Sequence, residues 1–93
     1  MYGLLIKPKA NKIFQKLSKT HPERMRMIGR KLDEIRANPS HVYKFLRKPY
    51  QTFNRVHIDK HFVLIFKIEH KERVVDVYFF GHHDYAYRGS LST

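Results

Sequence analysis

The chain contains no cysteine, so neither a disulfide framework nor a thiolate metal site can be built from it. It has no uninterrupted run of about 18 apolar residues, the length a helical membrane span requires. The apolar stretch Leu4 to Ile6 near the N-terminus is too short for the core of a signal peptide. A cytosolic protein with no membrane contact is the default expectation. Internal repeats and low-complexity stretches are also missing. Acidic residues are scarce. Eight Asp and Glu face nineteen Lys and Arg in 93 residues, leaving a formal charge of +11 with neutral histidines.

That imbalance is the strongest compositional signal. A pI of about 10.1 lies in the range of nucleic-acid-binding domains. Such a field speeds encounter with a polyanion or an acidic protein and makes binding salt-dependent. The length fits one domain with a modest core.

The hydrophobic pattern divides the chain in two. Residues 2–7 (YGLLIK) have the composition of a short strand. From Pro8, the residues Ala10, Ile13, Phe14 and Leu17 recur on one helical face. Thr20-His21-Pro22-Glu23 has capping-box spacing with proline in the first turn, and so predicts a second helix. Met25, Ile28, Leu32 and Ile35 carry its apolar stripe, and Asn38-Pro39 ends it. So short a connection implies an antiparallel helical hairpin. Residues 40–52 (SHVYKFLRKPYQT) show no period and predict a basic loop.

From Phe53 the period becomes two. Val56 and Ile58 point to one face of a strand, and Arg55, His57 and Asp59 to the other. Residues 61–69 (HFVLIFKIE) are apolar on both faces, as in a central strand. Lys71-Glu72 marks a turn into RVVDVYFF (73–80). The expected fold is α+β, a single layer pair with the order β-α-α-β-β-β, its last three strands an antiparallel meander. The expected boundaries are a single domain over 1–88 and a flexible tail over 89–93.

Three groups of residues could carry chemistry. Arg55 and His57 share a strand face roughly 7 Å apart, although such pairs are often only solvated surface. The segment Gly81-His82-His83-Asp84-Tyr85-Ala86-Tyr87 combines imidazoles, which exchange protons near neutrality, with rings able to stack on unpaired bases. Lys44, Arg47 and Lys48, with Lys60 nearby, are candidates for holding phosphates. His82, His83 and Asp84 match no strong metal motif, and adjacent strand residues diverge, so neither metal nor cofactor is expected.

The element order, the basic segment KFLRKPYQTFNRVHIDKHFVLIFKI and the closing GHHDYAYR together resemble the RelE/ParE toxin superfamily, over roughly residues 2–88. The match is nearer its RelE/YoeB-like branch. That resemblance implies a helical hairpin packed on a curved antiparallel sheet, and the toxin of a type II toxin–antitoxin system. It implies a metal-independent endoribonuclease that cuts mRNA on the ribosome and is neutralised by an acidic or amphipathic antitoxin. Carried onto this chain, His83 is the general acid, Arg55 steadies the phosphate in the transition state and His57 is the candidate base. Tyr87 stacks on a base or positions the 2′-hydroxyl. Lys44, Arg47, Lys48, Lys60, His61, His82 and Tyr85 contact the RNA. The chain departs from the pattern in having Phe62 after His61, His83 where RelE-like members carry arginine, and no acid in residues 44–52. The alternatives on the same fold are a ParE-like gyrase poison and a catalytically inactive RNA-binding relative.

Overall fold

The computed structural model describes residues 1–83. The expected boundary at residue 88 and the 89–93 tail therefore lie outside the described residues. The elements are β1 (Gly3–Ile6), α1 (Pro8–Thr20), α2 (Pro22–Ala37), β2 (Lys44–Phe45), β3 (Asn54–Ile58), β4 (Phe62–Glu69) and β5 (Val74–His82). Two helices pack on one five-stranded sheet of order β1-β5-β4-β3-β2.

The expected α+β architecture is present, with two differences in the sheet. First, the sheet is mixed, because β1 pairs parallel to β5 while the other pairings are antiparallel. The helical hairpin carries the chain away from β1, and the strands that follow return until β5 lies beside it. Second, the predicted loop contains the two-residue strand β2. Its anchor is Asn54, a buried side chain whose amide donates to the carbonyls of Tyr43 (3.2 Å) and Lys44 (3.4 Å). Pairing over two residues leaves no period to detect.

Helix α1 starts at Pro8, where the missing N–H costs nothing. The capping box does not form. The N-cap of α2 is His21, and no side chain caps it. Thr20 still belongs to α1, and its hydroxyl donates to the Lys16 carbonyl at 3.0 Å. Glu23 pairs instead with Arg26. Asn38 ends α2 as expected, its backbone N–H bonded to the Glu34 and Ile35 carbonyls.

The sheet is packed on both faces. Ala10, Phe14, Ile28, Leu32 and Ile35 of the helices meet Ile58, Leu64, Phe66, Val75, Val77 and Phe80. On the far face Leu46, Val63, Ile65 and Phe79 are buried together, with Tyr50, Phe53 and Tyr78 against them. The segment after β2 thus folds back over the sheet and inserts Leu46 into it. A bulge between β4 and β5 supports this arrangement. Ile65 is opposite Phe79 and Phe66 is opposite Val77, so Tyr78 is the extra residue. Tyr78 and Phe79 both join the far cluster, and Val77 and Phe80 on either side join the helical one.

Two predictions follow from the far cluster. Leu46→Ala should lower the unfolding free energy by about 2–5 kcal/mol in urea titrations, as for other buried leucines. Burial pushes the Tyr78 phenol up, and the Asp76 and Glu69 carboxylates add to the effect. Its folded value then lies above the unfolded one of about 10, so the neutral phenol favours the fold. That contribution is present below pH ~10 and is lost as pH rises through the folded value. Tyr78→Phe should therefore show a shallower alkaline decline in stability than the parent, and an unchanged slope would refute the assignment.

Candidate nucleic-acid interface

Strand pairing lays the predicted residues in rows across the sheet face opposite the helices. Val56 and Ile58 pack toward the helices, so Arg55 and His57 project to the other side. The first row runs Lys44, Arg55, Ile65, Phe79. The second runs His57, Val63, Gly81. Beyond it the His83 N–H donates to the His61 carbonyl at 3.0 Å and ties the two strand ends together.

The first row sets Lys44 directly opposite Arg55. Like charges in that position repel and destabilise a strand pair. Among the described residues neither cation forms an ion pair. No Asp or Glu occurs from residue 38 to residue 58. Among the described residues the ion pairs are Arg26–Glu23, Lys31–Glu34 and Arg36–Asp33, all within α2. The three carboxylates of α2 are thus paired within the helix, and the Lys44–Arg55 pair on the opposite side of the sheet has no ion-pair partner among the described residues. Lys44, Arg55 and His57 line an open groove of about 280 Å³ with His41, Val42, Tyr43 and Val56. Tyr43 is fixed by its hydroxyl, which donates to the Asn38 carbonyl at 3.0 Å, and by an edge contact with Phe66. Burial raises its pKa, with the Glu34 carboxylate adding to the shift.

Arg47 and Lys48 lie exposed on the turn that covers the far cluster, and Lys60 is exposed in the β3–β4 turn. Asp59 in that turn has φ 59°, a left-handed conformation that aspartate tolerates, and its carboxylate accepts the Lys60 N–H at 2.8 Å.

His83 is not beside Arg55. By strand spacing alone, the His57 and His83 backbones are roughly 12 Å apart and those of Arg55 and His83 roughly 17 Å. What the fold does bring together is three histidines. The rings of His82 and His83 stack at 4.6 Å, and His61 lies 5.9 Å from His82 and 6.4 Å from His83. The expected divergence of adjacent strand residues does not hold here, because β5 ends at His82 and His83 turns out of the strand. Tyr85, Tyr87 and Asp84 lie outside the described residues.

Sequence reasoning missed His41 and Lys67. The Lys67 ammonium sits over the Phe53 ring at 4.4 Å, on the same face as Arg55. Its alternation with Val63 and Ile65 was the available signal. It also missed the role of Gly81. A Cβ there would lie 2.6 Å from the tip of the Phe79 ring, so the absent side chain is what lets that ring lie flat between the rows.

No protein-family model matches the chain. A Methanocaldococcus jannaschii protein carrying the toxin designation RelE4 is 46% identical over 88 residues, covering 95% of this chain and 93% of that one. The metal-bound toxin from Helicobacter pylori superposes with a TM-score of 0.79 at 15% identity, covering 94% of this chain and 100% of the other. A chain of the RelBE2 toxin–antitoxin complex from Mycobacterium tuberculosis gives 0.72 at 17% identity, covering 88% and 98%. The fold is that of the RelE-like toxins, and the chain belongs to the RelE/ParE superfamily of toxins from toxin–antitoxin systems.

Gly81→Ala should displace the Phe79 ring and destabilise the protein by about 1–3 kcal/mol, the usual cost of overpacking. A thermal melt matching the parent's would show that the ring moves aside freely.

Proposed function

We propose that this chain is a cytosolic endoribonuclease that cleaves mRNA on the ribosome and is held in check by a cognate antitoxin. The observation that carries the proposal is the cationic strip, where Arg55 is held opposite Lys44 with His57 one row on and no ion-pair partner for either cation among the described residues. Like charges forced together on an open face are relieved by an anion bound between them, and a phosphodiester supplies one.

The reaction needs no group beyond the protein and the RNA. His57 takes the proton from a 2′-hydroxyl, whose oxygen attacks the neighbouring phosphorus. The bond to the 5′-oxygen breaks as His83 delivers a proton to it. A 2′,3′-cyclic phosphate and a 5′-hydroxyl result. Arg55 reaches along the strip to the phosphate and offsets the charge that builds on it. Lys44, Arg47, Lys48 and Lys60 hold the flanking backbone, and Tyr85 and Tyr87 supply the stacking rings. DNA lacks the 2′-hydroxyl and is not cut.

The antitoxin reading rests on charge and kinship. A protein of +11 attracts an acidic segment strongly, and such segments commonly fold on binding. The RelBE2 relative was itself solved as a toxin–antitoxin complex.

The test is primer extension on programmed ribosomes with the parent, His83→Ala and Arg55→Ala. The parent should cut within the mRNA. Each variant should be slower by about 10²–10³-fold, the usual yield of a general acid or a preorganised charge. A parent that makes no cuts but blocks DNA supercoiling would replace this reading with gyrase poisoning.

A further inference from the structure

We propose that His61, His82 and His83 form a binding site for one divalent transition-metal ion of the Zn²⁺ class, and that the ion silences the toxin by occupying His83. The silencing rests on the ribonuclease reading above; the site itself does not.

One nitrogen from each ring lies within 4.8 Å of the others. Tetrahedral Zn–N bonds of about 2.0–2.1 Å place ligand nitrogens roughly 3.3 Å apart. Closing the difference takes small side-chain rotations, because the backbone is already set. His61 precedes β4, His82 ends β5, and the hydrogen bond from His83 N–H to His61 carbonyl ties the two strand ends. The His61 and His82 rings are within 6° of parallel. His82 is steadied from below by an edge contact with Phe62 at 5.8 Å. Phe62 is clamped in turn between the Phe80 ring and the Arg24 guanidinium, which sits 4.1 Å from its centroid.

The donor set selects the ion. Three imidazoles suit Zn²⁺, Ni²⁺ and Cu²⁺, whereas Mg²⁺ and Ca²⁺ prefer oxygen. His61 and His83 are exposed, which leaves room for a water as fourth ligand. A metal-bound His83 nitrogen can no longer carry the proton that the leaving 5′-oxygen needs, so the loaded protein should not cut.

The site can be tested without any activity. Zn²⁺ is titrated in competition with a chromogenic chelator, and Co²⁺ is added separately to read its visible bands. One equivalent should bind per chain, with the intense absorption of four-coordinate Co²⁺. His61→Ala should weaken binding at least tenfold, and His70→Ala, at the opposite end of β4, should leave it unchanged. Far-UV circular dichroism checks that each variant is folded. Equal affinity in the parent and a folded His61→Ala would overturn the site, as would Co²⁺ bands of a six-coordinate ion. Silencing is read by adding Zn²⁺ and then a chelator to the cleavage assay. Reversible loss of cutting supports it, and cutting that persists at saturating Zn²⁺ overturns it. A parent that never cuts defeats the ribonuclease reading while the metal titration still decides the site.

Discussion

The fold depends on covering both faces of β4. Its run from Val63 to Phe66 is buried on either side, so no arrangement with one open face is available to it. The helical hairpin takes Leu64 and Phe66, and the segment after β2 takes Val63 and Ile65 through Leu46, Tyr50 and Phe53. Each of these large side chains is worth about 1.5–3 kcal/mol when fully removed from water. For a chain this small, that second cluster is a large share of a narrow margin. The bulge at Tyr78 belongs to the same solution, since it turns two consecutive aromatic residues to the face that lacks helices.

Covering the far face only in part is what leaves the cationic strip open. The turn that brings Leu46 down carries Arg47 and Lys48 on its outer side, and the short strand before it sets Lys44 against Arg55. One pair of hydrogen bonds from the Asn54 side-chain amide therefore anchors both the apolar cover and the cationic strip. The acids on α2 are paired locally at i, i+3, and among the described residues none forms an ion pair with Lys44 or Arg55. The stability lost to like-charge repulsion is small and exposed, whereas the gain in attraction for a polyanion is summed over the whole strip.

Much of this was legible in the residues. Period-two alternation set Arg55 and His57 apart from Val56 and Ile58, and the β3–β4 register bears that parity out. The two-sided apolarity of residues 61–69 marked the central strand. What was not legible depends on partners distant in sequence. The parallel β1–β5 pairing and the two-residue β2 leave no local period, because their hydrogen bonds are decided by where the chain returns. The capping box was a true local pattern that lost to competition, since Thr20 completes α1 and gives its hydroxyl to Lys16. Leu46 looked like one apolar residue in a basic loop, and only the bare face of β4 explains its burial.

The histidine cluster has the same origin at the other end of the sheet. His82 and His83 are adjacent in sequence, and in a continuing strand they would face opposite ways. They converge because β5 stops between them, and His61 joins because the β3–β4 turn ends level with that stop. Gly81 makes the approach to the cluster flat by letting Phe79 lie over it. A strand end is where neighbouring side chains are no longer forced apart. Acid–base and ligand groups can therefore gather there without disturbing the packed rows behind them. The strip holds charge in a fixed register, and the strand end gathers three imidazoles. The sheet thus separates the Lys44–Arg55 row from the histidine cluster, along one face and about two rows apart.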